Sequence, residues 1–135
     1  MQAFTGDLKE ITKENDDFRR VLFTGGYAQL VVMTINAGDD IGEEVHAVDQ
    51  VLYAVEGEGE ATLEGKATKF EKGDVVAVPA GIRHNIRNTH REPLKLFTIY
   101  APPQHSAGTI HASKAGALAA EGGLATAQAQ QTQRR

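Results

Sequence analysis

Four side chains of this sequence have the types and spacing to share one divalent ion: Glu44, His46, Gln50 and His84. Two imidazoles and a carboxylate suit Fe(II) with open coordination positions and also serve Zn(II) in hydrolytic sites; Mn(II) and Ni(II) are compatible. The 135 residues include no cysteine, so nitrogen and oxygen must do all the coordinating. One carboxylate and no thiolate would leave such a centre with a net charge of about +1, attractive to an anionic or enolisable substrate whose carbonyl or hydroxyl oxygen it would polarise. Glu44 also has a bland reading, as a solvated acid beside Asp39, Asp40 and Glu43. Burying its carboxylate without a cation or donors would be too costly, so an inward Glu44 would itself argue for a metal. Gln50 is the weaker donor, because an amide oxygen carries no formal charge. It would coordinate, yield to substrate, or hold a neighbour in place.

The elements that must position these groups lie in two stretches. In Gly73 to Asn88, GDVVAVPAGIRHNIRN, a Gly-Asp turn leads into a short apolar strand, Val75 to Val78. Pro79-Ala80-Gly81 is a second turn, and the returning strand carries His84. In Gly38 to Gly57, GDDIGEEVHAVDQVLYAVEG, residues two apart on a strand share a face. Glu44 and His46 therefore point one way over a strand 43–46, and Gln50 opens the next strand. Leu52 and Ala54 follow on Gln50's face and are candidate pocket residues, with plain core as the competing reading.

These two stretches resemble the paired motifs of the cupins. The first motif is Gly, five residues, His-x-His, three or four residues, Glu, six residues, Gly; the second is Gly, five residues, Pro-x-Gly, two residues, His, three residues, Asn. Gly38, Glu44, His46, Gln50 and Gly57 keep every spacing of the first, and Gly73, Pro79, Gly81, His84 and Asn88 keep the second residue for residue. The first motif is altered twice, with Glu44 in place of a histidine and Gln50 in place of the glutamate. Within the cupins, NDDFRRVLFTGGYAQLVVM, GDDIGEEVH and PLKLFTIYAPPQHSAGTIH resemble a group of small bacterial single-domain proteins. The resemblance implies an all-β jelly-roll barrel, or double-stranded β-helix, with a metal site. It implies no substrate.

Elsewhere the chain reads as strands separated by turn chemistry. Phe18 to Thr24 and Ala28 to Ala37 flank Gly25-Gly26; further strands are expected at 50–56, 60–63, 67–70, 75–78, 84–88 and 94–100. Many short strands at this spacing indicate a sandwich or barrel, whose closure removes aggregation-prone edges. The expected organisation is a lead-in over 1–17, a barrel over 18–103, a loop and short helix capped by Ser113 over 104–121, and a disordered polar tail over 122–135. His105 and His111 lie on the post-barrel segment as exposed loop residues or as groups folded over the barrel mouth, and His105 is a pocket candidate. Arg83, next to His84, is expected to point outward. Tyr27, Tyr53 and Tyr100 have no assignable role. Glu56 to Glu60, EGEGE, superficially resembles a nucleotide loop but precedes strand alternation, which favours a hairpin turn.

A formal charge of −4 without a basic run argues against nucleic acid. No apolar run approaches a membrane span, and the charged N-terminus shows no signal-peptide core, so a cytoplasmic protein is expected. The resulting expectation is a homodimeric cupin enzyme that uses Fe, Mn, Zn or Ni to isomerise, cleave or oxidise a small oxygenated metabolite, a sugar or keto acid. The alternatives are a barrel that captures a small molecule for sensing, or a structural barrel whose metal site has decayed.

Overall fold

The computed structural model describes residues 2–121; the tail expected over 122–135 lies outside the described residues. Two antiparallel sheets face each other as a jelly-roll barrel. The strands are β1 (Arg19–Thr24), β2 (Gln29–Ile35), β3 (Asp49–Glu56), β4 (Glu58–Leu63), β5 (Lys66–Glu71), β6 (Val75–Val78), β7 (His84–Asn88), β8 (Leu94–Ala101) and β9 (Ile110–His111). One sheet runs β6-β3-β8-β2-β1-β9 and the other β5-β4-β7. A short helix, α1 (Leu8–Glu14), precedes the barrel, with the Asp7 carboxylate accepting from the Glu10 N–H. Residues 114–121 form a second helix, α2, begun by Ser113, whose hydroxyl oxygen accepts from the Gly116 N–H at 3.1 Å. No helix among the described residues is long and apolar enough to cross a membrane.

Alternation places the core. On β3, Gln50, Leu52 and Ala54 are buried while Asp49 and Val51 are not; on β8, Leu94, Leu96, Thr98 and Tyr100 face inward. Of these, Leu52, Ala54, Leu94, Leu96 and Tyr100 meet Val31, Met33, Ile35, Ala61, Phe70 and Ile86 in one apolar cluster. α1 lies against β2, β3 and β8. Below it the carbonyl of Asn15 takes hydrogen bonds from Thr34 and from the Lys95 ammonium.

Turns fix the register. Glu64 (φ 50°) and Gly65 (φ 82°) both take positive φ between β4 and β5, as a two-residue hairpin turn of the primed kind requires. Gly59 is needed for a close approach, since a Cβ there would stand 2.3 Å from the Arg87 carbonyl oxygen.

Two expectations need correction. The strand expected over 43–46 is not a regular ladder. Gly42 (φ 107°) turns the backbone out of line, and only Asp40 and Glu44 form isolated bridges, to Arg87 and His84. The post-barrel loop, in turn, contains β9, whose Ile110 and His111 pair with Arg20 and Arg19 of β1. Pairing of that kind depends on residues some ninety positions upstream and leaves no local signal.

Candidate metal centre

The two motif stretches are joined by backbone hydrogen bonds before any side chain is considered. Glu44 and His84 exchange N–H···O=C bonds of 2.8 and 2.9 Å, so their side chains leave the same face of an antiparallel pair. The Pro79-Ala80-Gly81 turn then docks on the segment after His46: the Gly81 N–H donates to the His46 carbonyl at 2.8 Å, and the Ala80 N–H to the Asp49 carboxylate at 2.9 Å. Gly81 sits at φ 87°, a left-handed conformation that favours glycine. Asn88 closes the far end of β7, donating to the carbonyls of Ile35 and Glu92 and accepting from the His90 N–H. Its work is structural.

Inward alternation continues through the irregular segment, with Glu44, His46, Val48 and Gln50 less exposed than the residues between them. Ligand atoms of Glu44, His46 and His84 all lie within 4.8 Å of one another. The Glu44 carboxylate is 3.4 Å from His46 Nε2, and the two imidazole centroids are 5.3 Å apart. Donors sharing an ion with bonds of about 2 Å must lie within about 4 Å of each other, so the group needs to close by less than about an ångström.

Hydrogen bonding fixes which atoms are offered. His84 Nδ1 donates to the Ile82 carbonyl at 2.8 Å, which leaves the lone pair on Nε2. Gln50 donates its amide N–H to Thr98 Oγ1 at 3.0 Å, which turns Oε1 the other way. His46 Nε2, His84 Nε2 and Gln50 Oε1 are all buried and without a hydrogen-bond partner among the described residues. Buried polar atoms rarely stay unpartnered in native proteins, and two such imidazole nitrogens grouped with the Glu44 carboxylate are what a cation would satisfy, with Gln50 Oε1 a further unpartnered oxygen on the inward face. On that ground the residues fit a divalent metal. Electrostatics points the same way. Burial pushes the Glu44 carboxyl up to about 7, with Arg19 opposing and Glu121 adding to the rise. Burial first, then the His84 and Arg19 charges, pushes His46 down to about 4, so its imidazole is neutral at physiological pH.

Leu52 and Ala54 follow Gln50 on the inward face but belong to the packed apolar core, fully buried. Arg83 is exposed and points out towards Glu43. His105 is drawn in. Gln29 accepts from the Gln104 and His105 N–H groups and donates to the His105 carbonyl, which pins the post-barrel segment across the barrel end. The His105 ring stands edge-on to Tyr100, centroids 5.1 Å apart, and Tyr100 stands edge-on to His46 at 5.8 Å. Burial lowers His105 to about 3, with Arg19, His46 and His111 adding to the effect.

Arg19, Tyr100 and Glu121 are neighbours that sequence reasoning passed over. Arg19 is 1% exposed, ion-paired to Glu121 of α2, and has Nη1 3.3 Å from His111 Nδ1. The Tyr100 hydroxyl lies beside the same guanidinium, and burial raises its pKa above the ordinary phenol value. The available signal was the alternation of β1: in Phe18-Arg19-Arg20-Val21, placing Val21 inward places Arg19 inward as well.

The sequence profile described as the cupin domain matches residues 31–100. The chain belongs to the cupin family. The uncharacterized protein YrkC of Bacillus subtilis is 42% identical to this cupin over 128 residues, 89% of this chain and 68% of YrkC. The uncharacterized protein L612 of Acanthamoeba polyphaga mimivirus is 34% identical over 81% of this chain and 71% of its own. Among solved structures, BH2720 of Bacillus halodurans superposes with a TM-score of 0.86 at 41% identity, over 87% of this chain and 95% of that one. These similarities carry the barrel and the family, and the chemistry rests on the site.

Proposed function

We propose that this cupin is a metal-dependent enzyme acting on a small oxygenated metabolite, a sugar or keto acid. Glu44, His46 and His84 hold the metal, and Gln50 is a fourth or displaceable ligand. The observation that carries the reading is the grouping of Glu44, His46 and His84, whose ligand atoms lie within 4.8 Å of one another and whose two imidazole Nε2 atoms are buried without a partner among the described residues. A divalent ion bound there supplies Lewis acidity towards a substrate carbonyl or hydroxyl oxygen, with Fe, Mn, Zn and Ni all compatible with the donors. The chain's own groups orient and exclude. The Ile82 carbonyl holds His84 in one tautomer, Thr98 holds Gln50, and the segment carrying His105 covers the barrel end.

Elemental analysis of purified wild-type protein beside Glu44→Ala tests the proposal. About one equivalent of a transition metal in the wild type, and a large loss in the variant, is the expected result. Equal metal content in the two would remove Glu44 from the ligand set.

Homodimerisation belongs to the same proposal. Val51 and Val75, with Ile99 beside them on β8, are partly exposed on the outer face of β6-β3-β8, and Tyr53 stacks on Phe97 nearby. An apolar sheet face of this kind fits a second copy of the chain. A monomer by light scattering at micromolar concentration would contradict it.

A further inference from the structure

A metal held by Glu44, His46, His84 and Gln50 would satisfy three of the five buried, unpartnered side-chain atoms among the described residues. The other two are Arg19 Nε and His105 Nε2. Both belong to groups next to Tyr100, and Tyr100 is also in contact with His46. A guanidinium with 1% exposure is an expensive thing to bury, and its in-plane N–H groups match a carboxylate better than any other side chain does. The structure already shows a carboxylate on it, that of Glu121 at the last described position of α2. That helix is fastened at its other end by the Lys114 ammonium on Asp39 and Asp40, and Ala117 between the two ends is fully buried in the core.

The geometry points to a carboxylate-binding subsite formed by Arg19, Tyr100 and His105 beside the metal centre, with the Glu121 carboxylate as the displaceable occupant of Arg19. The ligand class is then a small carboxylate bearing a second oxygen on the adjacent carbon, a 2-oxo or 2-hydroxy acid. Its carboxylate takes the Arg19 guanidinium, and the unpartnered His105 Nε2 is available to a further polar group of the ligand. Its second oxygen turns towards Glu44, His46 and His84. A neutral sugar leaves Arg19 without a ligand partner. This inference rests on the metal reading only for the position of the second oxygen. The Arg19 half of the subsite stands independently of it.

Calorimetric titration of pyruvate into the zinc-loaded full chain tests the subsite, with methyl pyruvate as the uncharged control of similar shape. Wild type should bind pyruvate and not the ester. Glu121→Gln removes the competing carboxylate while leaving the guanidinium in place, and should tighten pyruvate binding by about fivefold or more. Pyruvate should also raise the melting temperature of this variant more than that of wild type, because it re-pairs a buried cation. Arg19→Gln should weaken binding by about tenfold or more, and Arg19→Lys should fall between, keeping the charge and losing the fork. If Arg19→Gln does not fold, Glu121→Gln decides alone. Pyruvate binding that ignores both positions, or no pyruvate binding by wild type and Glu121→Gln alike, would overturn the subsite. Metal content measured on the same samples keeps the two ideas apart. Arg19-dependent binding that survives chelation retains the subsite without the metal, and normal metal with indifferent pyruvate binding retains the metal without the subsite.

Discussion

The two ends of the barrel interior are built from the same strands and do opposite things. At one end, the paired row Gln29–Tyr100–Gln50 is polar, and Glu44, His46, His84 and His105 gather beside it. Four residues further along the same strands, the row Met33–Leu96–Ala54 is apolar, and Ile35–Leu94 continues it. Each strand therefore changes character midway while its alternation is unbroken. Free energy of folding comes chiefly from the apolar end, where side chains leave water without leaving a polar atom behind. The polar end carries buried atoms that no described residue satisfies, which is a cost to the metal-free protein and an opportunity for ligands.

The largest effect should come from the apolar end. Leu96→Ala removes a fully buried side chain from the middle of the core and should cost about 2–5 kcal/mol in urea denaturation. Metal bound per folded molecule should stay at the wild-type level. A parallel loss of metal in the folded fraction would show that the two ends are mechanically one.

That division explains what could be read from the sequence and what could not. The strands at 50–56, 75–78, 84–88 and 94–100 sit where turn glycines and prolines put them, because turn chemistry is local. Glu44, His46, Gln50 and His84 were visible as a set because motif spacing survives without knowledge of the fold. Arg19 was not. It stands in an ordinary strand beside exposed Arg20, and what makes it special is His111 and Glu121, each about a hundred residues away. Tyr100 was equally mute, because its contacts with His46 and His105 are made through the closure of the barrel. The irregularity at 39–46 was hidden for a different reason. Alternation of side chains persists there although the ladder does not.

The next effect in size tests whether Glu44 is the polar end's uncompensated charge. Its carboxyl is pushed up to about 7 in the metal-free fold, chiefly by burial. A raised acid contributes stability that is fully present below the unfolded value of 4.5 and is lost as pH rises through about 7. Metal-free Glu44→Gln should therefore be more stable than metal-free wild type at pH 7.5, by up to about 3 kcal/mol, while binding less metal. His46 runs the other way. Its value is depressed from 6.5 to about 4, so its contribution is present above 6.5 and is lost as pH falls through about 4. In wild type the two oppose each other over the shared window. In Glu44→Gln the dependence of the depressed histidines, His46 and His105, should remain unopposed by Glu44, with chelated protein gaining stability as pH rises from about 3 to 6.5. Denaturation in EDTA at several pH values measures both. A variant no more stable than wild type at pH 7.5 would mean that Glu44 carries no penalty in the metal-free fold.

The smallest effect sharpens the contrast at a single atom, Gln50 Oε1. Thr98 holds the amide nitrogen at 3.0 Å, so Oε1 is fixed in direction and either coordinates the ion or only orients its surroundings. Gln50→Ala should weaken metal binding by about 10–100-fold in either case, and so does not separate the two. Gln50→Glu does. A carboxylate there places a second negative charge on the ion and accepts from the Thr98 hydroxyl where the amide donated to it. Direct coordination then predicts metal affinity about tenfold tighter than wild type, read by chelator competition. If Oε1 faces away from the ion, the new charge is buried against the uncharged Thr98 hydroxyl with no cation to meet it, and affinity should fall together with stability.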